Sequence, residues 1–92
     1  MMPKSDYHAQ IALGIASIVR RERAQACMSL ERVARDAGVT RGTVKHIEGG
    51  SGVPRMVTLF DVLWALDCSQ AVWVEIAELD ALLRAAARSA VA

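Results

Sequence analysis

Apolar residues recur at helical spacing along nearly the whole chain. Ile11, Ile15, Ile18 and Val19, with Glu22 next along, follow the i, i+4, i+7 rhythm of one buried stripe. That stripe predicts a first helix from Ser5 or Asp6, either of them a good N-cap, to about Ala26. Arg20, Arg21 and Arg23 stand near its end, where the helix dipole favours cations. Ser29 offers a second N-cap, with Glu31 in the following turn. Leu30, Val33, Ala34 and Ala37 then make the apolar side of a short helix ending at Gly38. Thr40 is a third N-cap, opening a helix through about Glu48 that turns Val44 and Ile47 inward. Gly49-Gly50-Ser51-Gly52-Val53-Pro54 reads as a loop. A fourth helix, about Met56 to Leu66, is expected to show Met56, Leu59, Phe60, Leu63 and Leu66 on one face. Asp67 or Ser69 is placed to cap a fifth, from about Gln70 to Arg88, with the stripe Val72, Ile76, Leu79, Leu83 and Ala86 or Ala87. Strands have little support, so the expected class is all-α, with five helices.

A length of 92 residues suits a single domain over 1–92, without internal repeats, low-complexity tracts or linkers. At 53% hydrophobic and 23% charged residues the composition is that of a folded globular protein and excludes disorder. Mean hydropathy is positive, which is unusual for so small a monomer and suggests that some apolar surface meets a partner chain. No run approaches the roughly 18–20 apolar residues of a membrane span. The opening Met1-Met2-Pro3-Lys4-Ser5-Asp6 lacks an apolar signal core, so a cytoplasmic location is expected.

Cys27 and Cys68 lie 41 positions apart. Free thiols packed as small apolar residues are the preferred reading, with a disulfide as the alternative. Together with His8 and His46 they show no paired ligand spacing, so neither a metal nor another cofactor is expected. The net charge is only +1, but it is unevenly spread. Residues 1–55 hold nine Lys and Arg against five Asp and Glu, whereas residues 56–92 hold two against five. A basic first part joined to an acidic second part suits a domain with one face on phosphate. A chance imbalance among solvated charges is the competing explanation.

The most informative stretch is Ser29 to Gly50. Its pattern is that of two short helices crossing steeply: a helix-turn-helix at 29–48. Ala34 is small where the helices approach, and Gly38 permits the positive φ of the tight turn. With Val39, Val44 and Ile47 turned inward, Arg41, Gly42, Lys45 and His46 point outward. A short, polar, cationic face of that kind fits a DNA major groove.

Over about residues 11–68 the chain resembles the helix-turn-helix repressors related to phage Cro and repressor proteins, the xenobiotic-response-element family with its lambda-repressor-like fold. Ala34…Gly38-Val39-Thr40, Thr43-Val44-Lys45-His46-Ile47-Glu48-Gly49-Gly50, Pro54 and Thr58-Leu59…Leu63…Ala65-Leu66 carry the resemblance. It implies that Arg41, Thr43 and His46 read bases, with Gly42 at a contact position but without a side chain. Arg41 could pair bidentately with guanine, or could instead contact phosphate. For His46 a surface histidine without a base contact is the alternative. Ser29, Thr40, Lys45 and Arg55 are implied phosphate contacts. Glu48 resembles the family's acidic residue that pairs with an arginine of the first helix, here Arg20 or Arg23, and would then be structural. Two departures bear on the base code. Leu30 stands where the family usually has Gln, and Gly42 replaces a long polar side chain at a cost to the helix of roughly 1 kcal/mol relative to Ala.

On the fifth helix, Val72, Trp73, Val74, Ile76, Leu79, Leu82 and Leu83 make an apolar surface broader than one packing stripe. Part must cover the core. The rest is expected to bury against a second copy, with Val72, Trp73, Ile76, Leu79 and Leu83 as the dimer interface. Complete burial within one chain is the simpler alternative. A homodimer binding double-stranded DNA at a palindromic operator, and acting as a transcriptional repressor, is the leading expectation. The alternative is an antitoxin whose Val72–Ala92 segment neutralises a toxin protein while the rest autoregulates its operon. An enzyme is not expected: no nucleophile–base pairing appears, and Gly49-Gly50-Ser51-Gly52 lacks the Lys-Ser/Thr of a phosphate loop.

Overall fold

The computed structural model describes residues 4–89. They form five helices and, among the described residues, no strand: α1 (Lys4–Ala26), α2 (Leu30–Ala37), α3 (Arg41–Gly49), α4 (Met56–Ala65) and α5 (Gln70–Ser89). The all-α expectation is met. No helix among these residues is long and apolar enough to cross a membrane.

Local chemistry sets most boundaries. Ser29 and Thr40 cap α2 and α3, each hydroxyl accepting the backbone N–H three residues on at 3.1 Å. Gly38 ends α2 at φ 71°, donating to the Arg35 carbonyl while Val39 donates to the Ala34 carbonyl. This is the paired bonding of a Schellman motif. The same motif ends α1 and α4, but there non-glycine residues occupy the left-handed position: Cys27 at φ 55° and Asp67 at φ 56°. Asp67 therefore closes α4, and Ser69 stands immediately before α5. At its other end the chain differs from expectation too: α1 begins at Lys4, which puts Asp6 inside its first turn.

The core draws on every helix. Ile11, Ile15, Ile18 and Val19 of α1 meet Val33 and Ala34 of α2, Val44 and Ile47 of α3, Leu59, Val62, Leu63 and Leu66 of α4, and Val72 of α5. One expectation is overturned here. Helix α4 buries the 59, 62, 63, 66 side, so Met56 and Phe60, expected on the inner face, are exposed. Val62 and Leu63 fill the space between α4 and its neighbours, and α4 is apolar on nearly every side. Periodicity alone could not orient such a helix.

Helices α1 and α5 are fastened at both ends. Arg21 grips the Glu75 carboxylate with both terminal nitrogens, at 2.7 and 2.8 Å, and holds Glu75 below the usual carboxylate range. Toward the other end, the Tyr7 hydroxyl donates to Asp80, and Arg84 donates to both Asp80 and Tyr7 while stacking over the Tyr7 ring. Between them the helices come very close. A Cβ built on Gly14 would lie 2.1 Å from Cδ2 of Leu79.

Both cysteines are free; Cys27 is exposed and Cys68 half-buried. Burial, and then the Glu22 carboxylate beside it, push the Cys68 thiol up from 9.0 to about 11. A shift of this size cuts the thiolate fraction near neutral pH on the order of 100-fold. Native protein treated with a thiol reagent at pH 8 should therefore modify quickly at Cys27 and slowly at Cys68, with the difference vanishing in denaturant. The linkage sign follows from the same shift. The folded state favours the neutral thiol, so this contribution to stability is complete below pH 9.0 and is lost as pH rises toward about 11. Denaturant titrations with Cys68→Ala as control would read it; equal alkaline losses in both proteins would refute the assignment.

Candidate functional site

The α2–turn–α3 unit presents the outer face of α3. Thr40 begins it: besides capping the helix, its hydroxyl lies 2.9 Å from that of Thr43. One hydroxyl donates to the other, which ties the half-buried Thr43 side chain to the start of the helix. Arg41 is the first residue of the helix and donates from Nε to Glu31 of α2 at 2.6 Å. This exposed pair ties the starts of the two helices together. A backbone hydrogen bond and Arg41 hold the Glu31 carboxyl below its ordinary range. Lys45 follows one turn after Arg41 and is exposed. His46 is exposed as well, its Nδ1 3.2 Å from the Ser51 hydroxyl of the glycine-rich loop.

A shallow groove runs between α3 and the loop that follows it. Thr40, Gly42, Thr43, His46 and Arg55 line it, with Val53 and Pro54 on the loop side. Four of the residues picked from the sequence thus share one surface: Thr40, Thr43, His46 and Arg55. Arg41 and Lys45 lie on α3 outside the groove, and Ser29 stands at the start of α2, where its hydroxyl is engaged in capping. Gly42 adds no side chain to the groove. No packing demands a glycine there, since an added Cβ would meet nothing nearer than Thr40 Oγ1 at 3.8 Å.

What holds this face in place is largely Glu48. Its side chain is 9% exposed and accepts two bonds from Arg23, 2.6 Å from Nε and 2.9 Å from Nη2. Arg23 also reaches the Met28 carbonyl, while Arg20 donates to the Glu48 backbone carbonyl at 2.6 Å. Of the two arginines offered by the sequence, Arg23 takes the carboxylate and Arg20 the backbone. Gly50 completes the junction at φ 69°, with its backbone so close to α1 that a Cβ would lie 2.9 Å from the Leu13 side chain.

Sequence reasoning missed Glu31 and Ser51, the residues that hold Arg41 and His46. Only folding brings them near, and neither spacing carries a signal.

The residues expected at a dimer interface differ in burial. Val72 belongs to the core, and Trp73, Ile76, Leu79 and Leu83 are half-buried against it. The large apolar residues that α5 leaves exposed are Val74 and Leu82. Among the described residues, no group of three or more His, Cys, Asp or Glu could hold a metal ion. No protein-family model, curated protein or solved structure matches the chain.

Proposed function

We propose that this protein is a sequence-specific DNA-binding transcriptional regulator, a homodimeric repressor that occupies a palindromic operator. The observation that carries the reading is the α2–α3 pair. Two capped short helices joined at a left-handed glycine hold Thr43, His46 and Arg41 outward on α3, with Lys45 and Arg55 nearby to meet phosphate. The resemblance to Cro-like repressors over residues 11–68 supports the same conclusion, and the basic charge of residues 1–55 gives this half affinity for a polyanion. Repression requires only occupancy. The antitoxin alternative assigned Val72–Ala92 to a toxin protein; residues 90–92 lie outside the described residues, and the apolar stripe before them packs on the chain's own core.

Selection of bound sequences from random DNA tests the proposal directly. The expected result is a palindrome with half-site centres about 10 bp apart, or one further turn away. Failure to enrich any sequence at low salt would refute sequence-specific binding.

A further inference from the structure

We propose that the outer ridge of α4 is the surface through which two copies of this chain associate. The inference rests on the dimeric reading above but relocates the interface from α5. Met56, Phe60 and Trp64 stand in one row at i, i+4, i+8, with Val57 beside them, and they are 69%, 47%, 79% and 67% exposed respectively. Such a row of large apolar side chains is what a folded chain normally turns inward, yet the opposite side of α4 already fills the core. Phe60 extends the ridge to α5 by a tilted ring contact with Trp73, centroids 4.7 Å apart. A shallow groove lies between them, lined by Phe60, Asp61, Leu63, Trp64, Cys68 and Trp73.

Area and symmetry identify the occupant. With roughly 150–250 Å² for an aromatic side chain and somewhat less for Met and Val, the four residues offer about 500 Å² of apolar surface. Two copies would bury about 1,000 Å² between them, the lower bound of a specific association. The row is also self-complementary. When α4 packs antiparallel on the second copy's α4 about a two-fold axis at Phe60, Met56 of each meets Trp64 of the other. That is a thioether against an indole face, and it leaves Asp61 at the rim. A DNA backbone does not suit the ridge: the one charged residue within α4, Asp61, is acidic, and the nearest cation, Arg55, stands ahead of the helix and lines the groove beside α3. An interface at this lower bound suits a weak, concentration-dependent monomer–dimer equilibrium.

Sedimentation of the full chain over a concentration series, without DNA, tests this independently of the regulatory reading. The wild type should pass from monomer to dimer. Trp64→Glu should raise the dimer dissociation constant roughly 30-fold or more, as loss of an aromatic hot spot does, with an unchanged thermal melt at dilutions where the wild type is monomeric, because Trp64 is solvent-facing there. Leu82→Glu on α5 should leave association unchanged. Tryptophan emission should shift to the red on dilution of the wild type but not of the variant. A wild type that stays monomeric up to about 1 mM, a Trp64→Glu protein that dimerises normally, or a Leu82→Glu protein that does not dimerise would each overturn the proposal. If the chain dimerises through α4 but selects no DNA sequence, the interface stands and the regulatory reading falls.

Discussion

Glu48→Ala should lower the unfolding midpoint by roughly 10–20 °C, the largest loss expected from any single polar side chain here. The carboxylate is nearly buried and takes two short bonds from Arg23. Without it, the Arg23 guanidinium keeps only the Met28 carbonyl, in a site built to neutralise it. Breaking a buried pair costs about 3–5 kcal/mol. The Arg23 side chain is 27% exposed and regains some water, which brings the expected loss to about 2–3 kcal/mol. A domain of this size shifts about 4–8 °C per kcal/mol. Glu48→Gln keeps the shape and one acceptor, so it should fall between wild type and alanine. Thermal melts followed by circular dichroism decide the matter, and a drop of less than about 3 °C would show the pair to be ornamental.

On the regulatory reading, Arg41→Ala should cost the protein its preference among operators without costing it the fold. Arg41 is exposed at the first position of α3, and its pairing with Glu31 is a surface ion pair worth about 0–1 kcal/mol. Alanine is also a good helix former, so helicity and thermal midpoint should hardly move. A bidentate guanine contact is worth about 1–3 kcal/mol of discrimination, so the ratio of cognate to mismatched affinity should fall roughly 5- to 150-fold. Competition binding at fixed salt measures that ratio. If affinity for all sequences drops together and the ratio stays constant, Arg41 contacts phosphate and does not read bases.

The sequence made the helix ends legible wherever chemistry is local. Ser29, Thr40 and Gly38 announce a cap or a left-handed turn by residue type alone, and α2 and α3 fall where those residues put them. Cys27 and Asp67 take the same left-handed geometry without the residue type that advertises it, so the ends of α1 and α4 were less sharply marked. The inward stripe of α1 was legible because polar residues flank it. The orientation of α4 was not, since apolar residues surround that helix and only its neighbours choose which side is buried. The stripe of α5 was found correctly as a stripe, but periodicity cannot say whether its partner is α1 or another chain. Gly14 opposite Leu79 shows that at this position the stripe packs on α1. At the candidate site, the outward residues of α3 followed from helical geometry. The partner Glu31 and the choice of Arg23 over Arg20 depended on contacts between different helices, and Ser51 on how the glycine-rich loop turns back toward His46.

The anchoring of α3 has a consequence for any duplex the regulatory reading would place against it. The helix is fixed at its start by the Thr40 cap and at its end by Glu48 and the close seat of Gly50 against α1. These contacts oppose a tilt or slide that would let it follow a groove of varying width. On the regulatory reading, adaptation falls on the duplex, which must bend or twist to present its base edges. The energy of that distortion depends on the stacking of base pairs between and beside the half-sites, so positions the protein never touches should influence affinity.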